Sequence, residues 1–214
     1  MIFDLITIGL VGLVLAFAGF TVLQFMGKFP TRTRDDVSPF LRPSDIEELE
    51  HLLDRAQEAN LRFQLSPVEF RRWQRKRIHL MREYLLRMSH NALVLIEWGN
   101  MELATAGFPD APAGSAAAES GLSQRDQERQ AMAHELIQAA TEFRLYAVVA
   151  RLKLKMWIVL RLDHWPVFPE PSVSRLKTLM GIDAIGSYHR LKAAAGSLSM
   201  SYGYEYHRQV VERL

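Results

Sequence analysis

The sequence predicts an all-α protein: a single N-terminal transmembrane helix followed by a long antiparallel helical hairpin or a three-to-four-helix bundle. Three observations predict it. From Leu5 to Met26 there is no charged residue. Beyond that run, apolar residues recur at alternating spacings of three and four, the helical signature, through two long stretches. Those stretches are separated by "GFPDAPAGSAAAESG", Gly107 to Gly121, whose Gly, Pro, Ala and Ser content is that of a flexible connection. The chain divides into an anchor over 1–27, a juxtamembrane linker over 28–43, and a helical domain over 44–214 with a flexible loop at 107–122.

The anchor follows from length and transfer energy. The 22 residues from Leu5 to Met26 reach about 33 Å as a helix, against a hydrocarbon core of about 30 Å. Thirteen Leu, Ile, Val or Phe residues between Leu5 and Phe25 favour insertion by about 4 to 8 kcal/mol in total. A cleaved signal needs a basic leader, and "MIFD" has only Asp4; the apolar run also continues past the small-residue stretch Ala16–Phe17–Ala18. The segment "GFTVLQ", Gly19 to Gln24, looks like a type IV prepilin cleavage site. There, however, the apolar helix follows the glycine and a glutamate stands where Gln24 is found, so the likeness stops at a few letters. Lys28, Arg32, Arg34 and Arg42 follow the span and no basic side chain precedes it. The expected placement is single-pass in the cell membrane, with the N-terminus outside and the helical domain cytoplasmic. Gly9, Gly12, Ala16 and Gly19, spaced three, four and three apart, fall on one stripe where a partner helix or a second copy can approach closely.

After Pro43, Ser44 and Glu47 have capping-box spacing, and Ile46, Leu49, Leu53 and Ala56 predict a helix of about 18 residues. "SPVEF" is a stronger start, with Ser66 as cap, Pro67 at the first helical position and Glu69 as the reciprocal capping partner. From there Ile78, Met81, Leu85, Met88, Ala92 and Leu95 carry one helix of nearly 40 residues to the loop. Ser123 and Asp126 restart the chain, and Ile137, Ala140, Ala147 and Leu154 define a second long helix to about Leu162. Two long helices joined by one loop fold back antiparallel with coiled-coil-like packing, and the Ser44 helix joins them. Shorter helical pieces are expected over Val173–Met180 and Asp183–Leu198, and the two-residue spacing of Tyr202, Tyr204 and Tyr206 disagrees with a helical stripe, so the tail reads as packed or frayed, its tyrosines covering the core rather than anchoring a partner.

Composition narrows the function classes. A formal charge of +2 is too small to mark nucleic acid as a partner, and a chain without cysteine has no disulfide, thiolate metal site or cysteine nucleophile. On α-helical spacing Arg71, Arg72, Arg75, Lys76, Arg82 and Arg87 share one broad basic face, with Phe70, Trp73, Met81, Tyr84 and Leu85 on the other; Arg77 breaks the division. Near an anchor, such a face can meet anionic lipid headgroups at about 1 kcal/mol per basic residue. The stretch Ala147–Leu162 is apolar around its whole circumference, with Arg151, Lys153 and Lys155 among Leu152, Leu154 and Trp157, and is a candidate partner surface. Glu48 and His51 have Glu-x-x-His spacing, but a di-iron bundle needs a second such pair, and Ala131 precedes His134 as Lys76 precedes His79. There is no phosphate loop and no nucleophile elbow. No cofactor is expected, and the function expected is that of a membrane-anchored scaffold, assembly factor or accessory subunit acting through protein–protein interaction. The alternatives are a membrane-bound enzyme or metal-binding bundle, or a basic binder of anionic lipid or nucleic acid. Replacing Gly12 and Ala16 together by Ile is expected to lower association in a membrane two-hybrid assay to the level of a non-associating control; an unchanged signal removes the small-residue stripe from the account.

Overall fold

The structure is a computed structural model that describes residues 34–106, 124–162 and 182–214, without the side chains of 36, 106, 156–162 and 182–183. The anchor with its Gly9, Gly12, Ala16 and Gly19 stripe, the loop at 107–122 with the Ser123 cap, and the helical piece expected over Val173–Met180 lie outside these residues. Among the described residues no helix is long and apolar enough to cross a membrane. They belong to one compact unit that runs from Arg32 to Leu214.

All the regular structure described is helical. A 3-10 turn over Arg34–Asp36 leads into α1 (Val37–Phe40), followed by α2 (Ile46–His51), α3 (Arg55–Gln64), α4 (Pro67–Ala106), α5 (Gln124–Leu162), α6 (Ile182–Met200) and α7 (Tyr204–Val211). At 40 residues α4 is about 60 Å long. It packs along α5, α5 packs along α6, and α7 folds back on α6. The buried stripe of α5 is Leu136, Ala140, Phe143, Ala147, Ala150 and Leu154, which keeps helical spacing against Met81, Leu85, Met88, Ala92 and Leu95 of α4. The α4 start has the reciprocal cap its sequence predicts: the Ser66 backbone N–H donates to Glu69 Oε2 at 3.1 Å, and the Glu69 N–H donates to Ser66 Oγ at 3.4 Å.

Two elements differ from the sequence expectation. Residues 34–43, read there as linker, form a strap whose Val37 and Leu41 side chains are buried in the core. Arg42 explains its placement: its backbone N–H donates to Asn91 Oδ1 at 2.8 Å, and its carbonyl accepts from Asn91 Nδ2 at 2.8 Å. A prolonged helix from Ser44 is also not what forms. Asp45 caps α2 instead, accepting from the Glu47 and Glu48 N–H groups. Ser44 turns inward, with its hydroxyl 2.7 Å from that of Tyr188 and donating to the carbonyl of Leu214 at 3.2 Å. The helix then breaks where Leu53 is drawn into the core, and Asp54 caps a fresh start at α3 by accepting from the Ala56 N–H at 2.9 Å.

Of the two states expected for the tyrosine tail, packed or frayed, the structure has the packed one, with a short helix in it. Gly203, at φ 109°, reverses the chain after α6 in a backbone region that favours glycine. Tyr202 in the turn and Tyr206 in α7 thereby reach the same buried Trp98, with ring centroids at 6.2 and 6.0 Å, whereas Tyr204 stays exposed. A spacing of two in the sequence thus spans a turn, and the tail is packed rather than frayed.

The two helices approach closely at Gly99, where a Cβ would stand 2.7 Å from Ile137 Cγ1 and 3.3 Å from the Ala133 carbonyl oxygen. Gly99→Ala is expected to destabilise the full chain in mild detergent by about 1 to 3 kcal/mol through overpacking. Adding Ile137→Ala is expected to recover part of that loss. Additive costs in urea unfolding would show that the two helices do not cross there.

Candidate interaction surface

The six basic residues singled out on α4 do not share one environment. Arg71, Arg72, Arg75 and Lys76 are exposed. Arg82 is half-buried and lies close enough to Arg151 of α5 for its charge, after burial, to push the Arg151 guanidinium below its usual range. Arg87 is tied down, paired with Glu83 and placed 5.8 Å over the Tyr84 ring. Arg77, which breaks the sequence division, is buried. Its NH1 donates to the buried Glu58 of α3 at 2.8 Å, and its guanidinium lies 5.0 Å over Trp73. This anchors α3 across the first turns of α4, with a charge-assisted bond of the kind that is costly to break from one side. The neighbouring Gln74 is buried with no hydrogen bond to its amide.

Two exposed apolar side chains stand beside the free cations. Phe63, in the last turn of α3, is 90% exposed, and Val68, in the first turn of α4, is 60% exposed. At 100° per residue Val68 lies at the centre of the face that carries Arg71, Arg72 and Arg75. The sequence reading missed both. Their signal was present in the phase: Val68 is offset from the stripe that begins at Phe70, and Phe63 follows α3 residues among which only Leu61 is large and apolar.

On α5 the stretch expected to be apolar all round resolves into two faces. Leu154 is buried with Ala147 and Ala150. On the opposite side Leu145, Val149 and Leu152 form an outer stripe, spaced four and three apart and 52%, 39% and 39% exposed. Lys153 and Lys155 are exposed beside it, and Arg151 is half-buried. The Trp157 side chain lies outside the described residues. Leu145 lies just ahead of the stretch that the sequence marked, and only the second periodicity, offset by two residues from Phe143 and Ala147, reveals it.

The metal possibility at Glu48 and His51 has a different outcome. Glu48 accepts a short hydrogen bond from the Tyr84 hydroxyl. Among the described residues no three His, Cys, Asp or Glu side chains gather as donors. The remaining polar contacts are structural: His90 Nε2 lies 3.2 Å from the Phe40 carbonyl, and His207 Nδ1 lies 3.0 Å from that of Gly196. Comparison with family models, with curated proteins and with solved structures returned no match.

The tyrosines place a pH limit on this architecture. Burial, aided by the hydrogen bond to Glu48 and the charge of that carboxylate, pushes the Tyr84 hydroxyl up to about 12. Burial likewise raises Tyr188, Tyr202 and Tyr206. An acid whose folded pKa exceeds its unfolded value, here 10.0 for Tyr84, stabilises the fold fully below the unfolded value and loses that contribution as pH rises towards the folded one. The thermal midpoint of the full chain in detergent is therefore expected to fall between about pH 10 and pH 12, and to fall less steeply in Tyr84→Phe. Parallel slopes would show that Tyr84 stays in contact with water in the folded state.

Proposed function

We propose that the chain is a membrane-anchored helical scaffold or accessory subunit that holds a partner helix on the outer stripe of α5. The observation that carries this reading is the exposed row Leu145, Val149 and Leu152 with cations at 151, 153 and 155 around it. Apolar residues at spacings of four and three are what an amphipathic helix docks against, and an exposed row of them costs solubility unless something covers it. The rim selects the partner's charge. Arg82 and Arg151 repel one another and neither has an acidic hydrogen-bond partner among the described residues, so a partner with Asp or Glu flanking its own apolar stripe relieves them.

The anchor supplies the rest of the mechanism. A span at Leu5–Met26, with the N-terminus outside and the helical unit cytoplasmic, confines the α5 stripe to a thin layer at the membrane. There a weak helix–helix contact is strengthened by effective concentration, most of all for a partner that is itself membrane-bound.

The test is a photo-crosslinking amino acid placed in turn at Leu145 and Val149 of the full chain in intact cells. Each position is expected to give one discrete adduct, with the linked segment carrying acidic flanks. Lys153→Glu with Lys155→Glu is expected to remove the adduct, and the exposed Ser197 of α6 to give none. No adduct at either stripe position sinks the reading; an adduct of twice the chain's mass replaces the partner by a second copy.

A further inference from the structure

We infer that the corner between α3 and α4 is a binding site for an anionic bilayer surface, with Phe63 and Val68 entering the headgroup layer and Arg71, Arg72, Arg75 and Lys76 meeting lipid phosphates and carboxylates. Phe63 is the most exposed of the large hydrophobic side chains described, at 90%. An aromatic ring left in water, five residues from a second exposed apolar side chain, has the composition of an interfacial anchor. The two residues are five apart, so about 18 Å of chain at most separates them.

The charge around the corner is predominantly positive. Between Glu69 and Glu83, α4 has no acidic residue. Glu69 is held by the Ser66 hydroxyl and backbone, which lower its pKa, and Glu83 is paired with Arg87. On the facing helix α3, Glu58 is buried against Arg77, and the exposed Arg55 and Arg62 add to the positive side. Glu69 also feels the charge of Arg72, so one exposed carboxylate offsets part of the positive charge, and Arg71, Arg75 and Lys76 are the cations most available to an anionic surface. Arginine in particular presents a planar fork of donors suited to phosphate.

The site adds a second contact to the proposed tether, and its delivery to the membrane rests on that reading. The chain joins the helical unit at Arg34, whose guanidinium lies 4.9 Å over Tyr202 and 5.3 Å over Tyr206, and both rings pack on Trp98. Trp98 is thirty residues along α4 from Val68, about 45 Å at helical rise. Arg34 and the proposed lipid corner thus lie toward different ends of α4.

The chain has no cysteine, so Phe63→Cys provides one site for a nitroxide label in the full chain, read in nanodiscs of phosphatidylcholine alone or mixed with phosphatidylserine. With phosphatidylserine the label is expected to become several-fold more accessible to oxygen than to a water-soluble nickel chelate. The effect is expected to reverse in high salt and with Arg71→Glu, Arg72→Glu and Arg75→Glu combined. A label at Gln209, exposed on α7, is expected to stay chelate-accessible in both lipids. Equal accessibility at position 63 in the two lipids overturns the inference, as does protection that appears only when nucleic acid is added. If the chain does not incorporate into nanodiscs, the tether fails; the same label is then read on the dissolved chain with phosphatidylserine vesicles, where continued chelate access overturns the lipid site on its own.

Discussion

Asn91 is the constraint on which the rest of the described unit depends. It sits in the middle of α4 with no exposed surface, in a position where an apolar side chain would be the simple choice. Its amide instead completes the backbone of Arg42 on both sides and reaches the Ser44 hydroxyl at 3.3 Å. Ser44 passes the network on to Tyr188 of α6 and to the carbonyl of the C-terminal Leu214. One amide therefore joins the strap, α4, α6 and the chain terminus. Burying so many polar groups is costly unless each is paired, so the network holds these four pieces in one arrangement in a way that apolar packing alone would not.

That knot accounts for which parts of the fold the sequence made legible. The long helices were visible because their information is local: Ser66, Pro67 and Glu69 mark a start by their own hydrogen bonds, and the α4 and α5 stripes repeat often enough to outweigh single exceptions. The strap was not visible because its reason is distant. Nothing within ten residues of Arg42 indicates that it pairs with Asn91, 49 positions away, or that Ser44 faces Tyr188, 144 positions away, rather than capping its own helix. Asp45 took the cap because it was next in line once Ser44 was recruited. The break at Leu53 has the same origin, since a straight helix would have carried the chain past the core that Leu49 and Leu53 fill.

The surfaces divide along similar lines. Charge on α4 was legible as a helical face, and its one exception, Arg77, was legible as an exception; that Glu58 of a separate helix answers it was not. On α5, composition showed an excess of apolar residues over what one core stripe can absorb, but which of them face water depends on where α4 and α6 lie. Phe143, Ala147 and Leu154 turn inward, so geometry leaves Leu145, Val149 and Leu152 outside. Residues that follow no core phase are the ones to read for function, because a helix in contact with two neighbours has no structural use for a third apolar face.

On the proposed reading, two different surfaces serve two different neighbours, and their chemistry keeps them from being exchanged. The α5 stripe has three aliphatic side chains in a row with cations only at its edges, a shape that an elongated helical partner can cover and a flat headgroup layer matches poorly. The α3–α4 corner has the reverse proportion, four exposed cations within nine residues of Val68 and two exposed apolar side chains, a composition suited to many weak charge contacts. Arg82 stands between them, in the α4 basic face and beside Arg151. Fourteen residues of α4 separate Val68 from Arg82, about 21 Å at helical rise and well over the roughly 8 Å screening length at physiological salt, so the two surfaces act as separate sites.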